Sequence, residues 1–187
     1  MERMLDTKLT IKRAAFLDRD GVINRKRPEG QYVTRWEEMQ FLPGVPEAIA
    51  LLTKAGFYVF AVSNQRCVTK GLLTTDELES IHARMLRELE TKGAFITGVY
   101  YCPHDTEPPC GCRKPAPGML LRAAREHEID LKKSWMFGDS DSDIEAGRRA
   151  GCRTVRVMNG DPAGSGGADL SARTLLDAVH QVLALEG

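Results

Sequence analysis

Apolar runs alternate with stretches of helical periodicity along this chain, and three of the runs give way to Asp18, Ser63 and Asp139. Residues 14–17, 57–62, 95–101, 134–137 and 154–157 read as buried strands. Residues 46–55, 118–128 and 144–150 carry helical spacing between them, the first ending at Gly56. Thr74-x-x-Glu77 opens a further helix as a capping box, with Leu78, Ile81, Met85 and Leu89 on its apolar face. Leu175, Leu176, Val179, Val182 and Leu183 form one face of a closing helix, after a Gly- and Pro-containing loop at 159–169. This alternation specifies an α/β fold, a doubly wound parallel sheet with helices on both faces. In such open sheets ligands bind beyond the carboxyl ends of the strands. Asp18, Ser63 and Asp139 all fall there.

Composition narrows the setting. A chain of 187 residues with 42% hydrophobic residues suits one domain spanning 1–187, with a core that needs no disulfides. The 26 basic residues balance the 26 acidic ones, so no nucleic-acid partner is expected. No apolar run approaches a membrane span, and the charged first thirteen residues lack the apolar stretch of a secretory signal. A cytoplasmic monomer is expected.

Asp18-Arg19-Asp20-Gly21 places two carboxylates one residue apart, just past a buried strand. Alone, that tetrapeptide is an ordinary solvated turn. Asp139 and Asp143, brought to the same crevice, change the electrostatics. Two like charges ~4 Å apart cost roughly 4 kcal/mol at an effective dielectric near 20, so a cation must offset them. Oxygen ligands suit Mg²⁺ rather than zinc. Lys114, held between Arg113 and Pro115, is a second candidate counter-charge. An aspartate can attack phosphorus covalently, and a neighbouring carboxylate can protonate the leaving oxygen and then activate water. Ser63-Asn64-Gln65, after the second strand, offers a hydroxyl and free N–H groups to a phosphate.

The five cysteines are an odd count, which argues against a disulfide framework. Cys102-Pro103-His104 and Cys110-Gly111-Cys112 supply three thiolates and an imidazole at chelating spacings. That set is a closed tetrahedral zinc site of structural type. Its loop runs directly into Arg113 and Lys114. Cys67 and Cys152 read as packed thiols, and His82, His127 and His180 as solvent-side helix residues.

Together these motifs resemble the haloacid dehalogenase-like phosphatases, over about residues 14–157. Within that superfamily the zinc loop is similar to two groups, the heptose-bisphosphate 7-phosphatases and the histidinol-phosphate phosphatases. Asp18-Arg19-Asp20-Gly21-Val22-Ile23-Asn24, Phe41-Leu42-Pro43-Gly44 and Lys114-Pro115-x-Pro117-Gly118 lean to the first. Arg66-Cys67 stand where that group usually carries small residues. The resemblance implies a Rossmann-like capless fold and an enzyme acting on a small phosphorylated sugar, in the supply of nucleotide-activated heptose. It implies Asp18 as nucleophile and Asp20 as general acid/base. Mg²⁺ is then held by the Asp18 and Asp139 carboxylates and the Asp20 carbonyl. Ser63, Arg113 and Lys114 would meet phosphate, with Asp143 orienting Lys114. Gly30, Gln31, Tyr32, Asn64, Gln65, Arg66 and Ser140 would border the substrate. A histidinol-phosphate phosphatase, a nucleic-acid 3′-phosphatase and a non-catalytic phosphosugar-binding module stay open as alternatives.

Overall fold

The computed structural model describes residues 11–160 and 166–186. Six strands, β1 (Arg13–Asp18), β2 (Phe57–Asn64), β3 (Gly98–Cys102), β4 (Trp135–Gly138), β5 (Arg153–Val157) and β6 (Leu170–Ala172), form one sheet in the order β3-β2-β1-β4-β5-β6. Every pairing is parallel. Helices α1 (Val45–Lys54), α2 (Thr75–Glu90), α3 (Gly118–His127), α4 (Asp141–Ala150) and α5 (Leu175–Glu186) cover the two faces.

Strand alternation explains the layering. Ala15 and Leu17 face one core, with Ile49 and Leu52 of α1, Leu78 and Met85 of α2, and Val179 and Val182 of α5. Ala14 and Phe16 face the other, with Leu120 and Ala123 of α3 and Ala150 of α4. Each fully buried leucine of this kind contributes about 1.5–3 kcal/mol. Helix α4 lies close on the sheet because Gly147 carries no side chain: a Cβ there would sit 2.7 Å from the Met136 Cβ. β1, at the middle of the sheet, is buried from Ala14 onward and carries Asp18 rigidly to the crevice.

Three local expectations shift. The third strand begins at Gly98 rather than at Phe95, which is exposed; Thr97 still tethers the approach, its N–H bonding Val59 O at 2.7 Å. Helix α4 starts before Ile144, because Ser140 and Asp143 form a capping box. β6 was not anticipated; its three residues are too few to show alternation. Within the loop expected at 159–169, residues 161–165 lie outside the described residues. Cys67 and Cys152 are buried, and burial pushes the Cys152 thiol up to about 12. His180 is exposed, whereas His127 is half-buried against the Phe60 ring at 4.9 Å. Among the described residues no helix is long and apolar enough to cross a membrane, and no inserted domain follows β1 or β2.

Candidate active site

Parallel pairing in register brings the ends of β1, β2 and β4 together, and with them Asp18, Ser63 and Asp139. Lys114 enters from the loop before α3. Its Nζ donates to Asp18 Oδ1 at 2.5 Å and to Val62 O at 2.9 Å, and pairs with Asp143 Oδ1 at 2.6 Å. Lys114, Asp18 and Asp143 are all buried. Burial alone would pull the Lys114 ammonium down, but Asp143 and Asp18 outweigh it and hold the pKa above its ordinary value. Asp143 is likewise pushed up by burial and pulled further down by Lys114 and Ser140, so it stays ionised. Asp18 goes the other way: burial raises it against the pull of Lys114, with Asp143, Asp139 and Asp20 adding repulsion. The backbone of Lys114 is fixed as well, since its N–H donates to Asn64 Oδ1 and its carbonyl accepts from Asn64 Nδ2, both at 3.0 Å.

One carboxylate oxygen from each of Asp18, Asp139 and Asp143 lies within 4.8 Å of the other two. This all-oxygen donor set, raised in energy by mutual repulsion, fits a hard divalent cation. Gly21, at φ +111°, makes room for the Asp139 carboxylate: a Cβ there would collide with its Oδ2. Asp143 has both oxygens engaged, Oδ1 with Lys114 and Oδ2 with Ser140 N and Oγ, which leaves Asp18 and Asp139 as the freer pair. Lys26 meets Asp139 Oδ2 at 2.7 Å. The cavity these residues line measures 270 Å³ and includes Asp20, Ser63, Asn64, Arg113 and Ser140.

Asp20 is surrounded by donors. Arg19 donates from Nε to Oδ2 and from Nη2 to Oδ1, both at 3.1 Å. Asn24 Nδ2 reaches Oδ1 at 3.0 Å and Gln65 Nε2 reaches Oδ2 at 2.8 Å. Gln65 also donates to Ser63 Oγ at 2.6 Å. Burial pushes Asp20 up, but Arg19 and these hydrogen bonds more than offset it, and the pKa falls below the usual carboxylate value. Arg19 itself is fully buried, and its Nη1 bonds His82 Nε2 at 2.9 Å. His82 is therefore not on the solvent side of α2, as expected, but buried. Burial and then Arg19 hold its pKa down at about 3. The register of α2 contained the signal: His82 follows Leu78 by four residues and precedes Met85 by three, on the buried face. Nothing comparable marked Arg19 as buried.

Beside this cavity lies a second, of 350 Å³, lined by Gly30, Gln31, Tyr32, Arg66 and Arg113 together with Asp20, Lys26 and Asn64. Arg66 Nε donates to the Tyr32 hydroxyl at 2.5 Å, and Lys70 lies 5.7 Å from the Tyr32 ring centroid. Arg113 is placed by the carbonyl of His104, 3.2 Å from its Nη1.

The zinc-type loop closes as expected in outline. Cys102, His104, Cys110 and Cys112 bring their ligand atoms within 4.8 Å of one another, with Sγ–Sγ separations of 3.2 to 3.5 Å and Nδ1 of His104 facing Cys102 and Cys112. A tetrahedron with Zn–S of 2.3 Å has edges of about 3.8 Å, a few tenths of an ångström longer than the separations here, so a small outward shift of the four atoms would admit a metal ion of that size.

Comparison with known proteins identifies the family. Residues 111–179 match the HAD-hydrolase-like family. A D-glycero-beta-D-manno-heptose-1,7-bisphosphate 7-phosphatase of Rhodopseudomonas palustris is 43% identical over 155 residues, covering 79% of this chain and 84% of its own. A D-glycero-alpha-D-manno-heptose-1,7-bisphosphate 7-phosphatase of Mycobacterium bovis is 37% identical, covering 86% of each chain. The crystal structure of the D,D-heptose 1,7-bisphosphate phosphatase of B. bronchiseptica, complexed with magnesium and phosphate, superposes with a TM-score of 0.84 at 34% identity, over 92% of this chain and 99% of that one. The chain thus belongs to the haloacid dehalogenase-like phosphatases, in the family of the heptose-1,7-bisphosphate 7-phosphatases.

Proposed function

We propose that this chain, acting as a single-domain monomer, hydrolyses the 7-phosphate of D-glycero-D-manno-heptose 1,7-bisphosphate through a phosphorylated Asp18. The observation that carries the reading is the pair of adjoining cavities. One is built around buried Asp18 and Lys114, the other is ringed by Arg66, Arg113 and Lys26, and Asp20, Lys26, Asn64 and Arg113 border both. A substrate with a phosphate at each end fits two neighbouring sites of this kind.

Asp18 and Asp139, with the Asp20 carbonyl, would hold Mg²⁺, which when bound supplies charge neutralisation for the phosphoryl group. The relative crystallised with magnesium and phosphate supports that choice of metal. Cys102, His104, Cys110 and Cys112 would hold a structural Zn²⁺ that sets the loop carrying Arg113 and Lys114. An Asp18 oxygen attacks phosphorus as the ester P–O bond breaks, and the Asp20 carboxyl gives its proton to the departing sugar oxygen. A phosphoryl dianion brought beside Asp20 raises its pKa, which lets it carry that proton. Water then attacks the aspartyl-phosphate, Asp20 takes its proton, and phosphate and the free Asp18 carboxylate result. Ser63, Asn64 and Lys114 bind the transferring group, and Asp143 and Ser140 keep Lys114 in place. Gly30, Gln31, Tyr32, Gln65, Arg66 and Arg113 shape the sugar and second-phosphate side.

Phosphate release from heptose 1,7-bisphosphate and from histidinol phosphate tests this reading. The bisphosphate should win by at least roughly 10²-fold in kcat/KM, about 2.7 kcal/mol of differential transition-state binding. Histidinol phosphate lacks a second phosphate and brings a cation toward Arg66 and Arg113. A preference for histidinol phosphate would overturn the substrate assignment and leave the Asp18 chemistry untouched.

A further inference from the structure

We propose that His82 is a positioning residue for the general acid/base, acting through Arg19. The inference rests on the reading of Asp20 given above and extends it to a residue on α2 that meets neither substrate nor metal.

Arg19 has a side chain only 1% exposed, so its donors depend on protein partners. Two N–H groups go to the two Asp20 oxygens, one to Gln65 Oε1 at 3.2 Å, and one from Nη1 to His82. Guanidinium is a donor only, so His82 Nε2 accepts and its ring proton sits on Nδ1. Among the described residues Nδ1 has no hydrogen-bond partner. The ring therefore keeps an unpaired buried donor on one side in order to offer an acceptor on the other, an arrangement that packing alone does not call for. Tyr101, 5.4 Å away between ring centroids, and the buried face of α2 hold the imidazole in place. The result is a chain of fixed contacts, His82 to Arg19 to Asp20, closed by Gln65 bonding both Arg19 and Asp20.

Loss of the acceptor frees Nη1 and lets the guanidinium pivot, so Asp20 loses its bidentate support. The consequence falls on one step: proton transfer from the Asp20 carboxyl to the ester oxygen as the P–O bond breaks and its electron pair stays with that oxygen. An alkyl phosphate needs that proton. A p-nitrophenyl phosphate does not, because its leaving group departs as a stable anion. Since kcat/KM reports the path up to phosphoryl transfer, the ratio between the two substrates isolates the acid.

His82→Leu should lower kcat/KM on heptose 1,7-bisphosphate by about 30-fold, within the range of a compromised general acid, and on p-nitrophenyl phosphate by no more than about threefold. His82→Gln, long enough to offer Arg19 an oxygen, should return the alkyl value to within about threefold of the parent. If His82→Leu does not fold, His82→Asn, polar but too short to reach Nη1, is read by the same ratio. Equal losses on the two substrates, or no loss on the alkyl one, would overturn the positioning role. Asp20→Ala separates the two levels: if it too loses both substrates equally, the reading of Asp20 as the acid fails, whereas a selective Asp20→Ala beside a non-selective His82→Leu removes only His82.

Discussion

Lys114 Nζ and Asp18 Oδ1 meet at 2.5 Å although 96 residues separate them in the chain. The contact joins the end of the central strand to the loop that carries the metal-type cysteines, and Asp143 completes it from α4. A buried charge in this position is tolerated only while its partners are present.

Replacing Lys114 with Ala should therefore damage stability and activity together. Asp18 and Asp143 would be left buried without a cation, at a cost of about 3–5 kcal/mol. Denaturant unfolding of the metal-free protein measures that loss, and phosphate release should fall by at least roughly 10²-fold. An unchanged unfolding midpoint would show that the buried pair contributes nothing.

The stability that His82 contributes should begin to fall with acid above the ordinary carboxylate range. Folded His82 stays neutral down to about 3, whereas in the unfolded chain it takes up a proton near its ordinary 6.5. Its stabilising effect is complete above that ordinary value and is lost as pH drops from there toward 3, at about 1.4 kcal/mol per pH unit. Asp143, held below the carboxylate range, adds its own loss as pH falls below the ordinary carboxylate value toward its lower folded one. Unfolding free energies of the parent and His82→Gln, compared at pH 7 and pH 5, should converge in acid; parallel curves would contradict the buried neutral imidazole.

Chelation should separate two metals. Mild treatment should remove Mg²⁺ and stop turnover reversibly, because carboxylate oxygens hold it weakly. Zinc at Cys102, His104, Cys110 and Cys112 should survive, and stripping it should loosen the Arg113 and Lys114 segment. Elemental analysis finding no zinc in protein purified under reducing conditions would refute the closed site.

Arg66 lines the basic cavity and donates to the Tyr32 hydroxyl. Arg66→Ser should weaken the preference for heptose bisphosphate over a monophosphate by about tenfold, the value of one charge-assisted contact. An unchanged ratio would make Arg66 a wall of the cavity and no more.

Much of this site is legible in the sequence. Asp18 and Asp139 close apolar runs, and a parallel sheet can only bring such ends together. The Thr74–Glu77 capping box forms as spaced, both halves present. What escaped was paired burial. Arg19 follows a strand, and no local pattern announces that Asp20, Gln65 and His82 will converge on it. His82 reads as a solvent-side helix residue, although its spacing from Leu78 and Met85 places it inward. The strand expected from Phe95 failed for the opposite reason: apolar residues at the sheet's edge approach need not be covered, and Phe95 is not. Residues marked by a strand end or a motif were readable, Lys114 among them; Arg19, whose burial depends only on partners gathered across the fold, was not.

The central claim is that Asp18 carries the phosphoryl group. Asp18→Asn keeps the size and shape of the side chain and removes the nucleophile. Phosphate release from heptose 1,7-bisphosphate by folded, metal-loaded Asp18→Asn should fall by roughly a thousandfold or more. Turnover within a few-fold of the parent, in protein with an unchanged circular dichroism spectrum, would contradict the covalent mechanism.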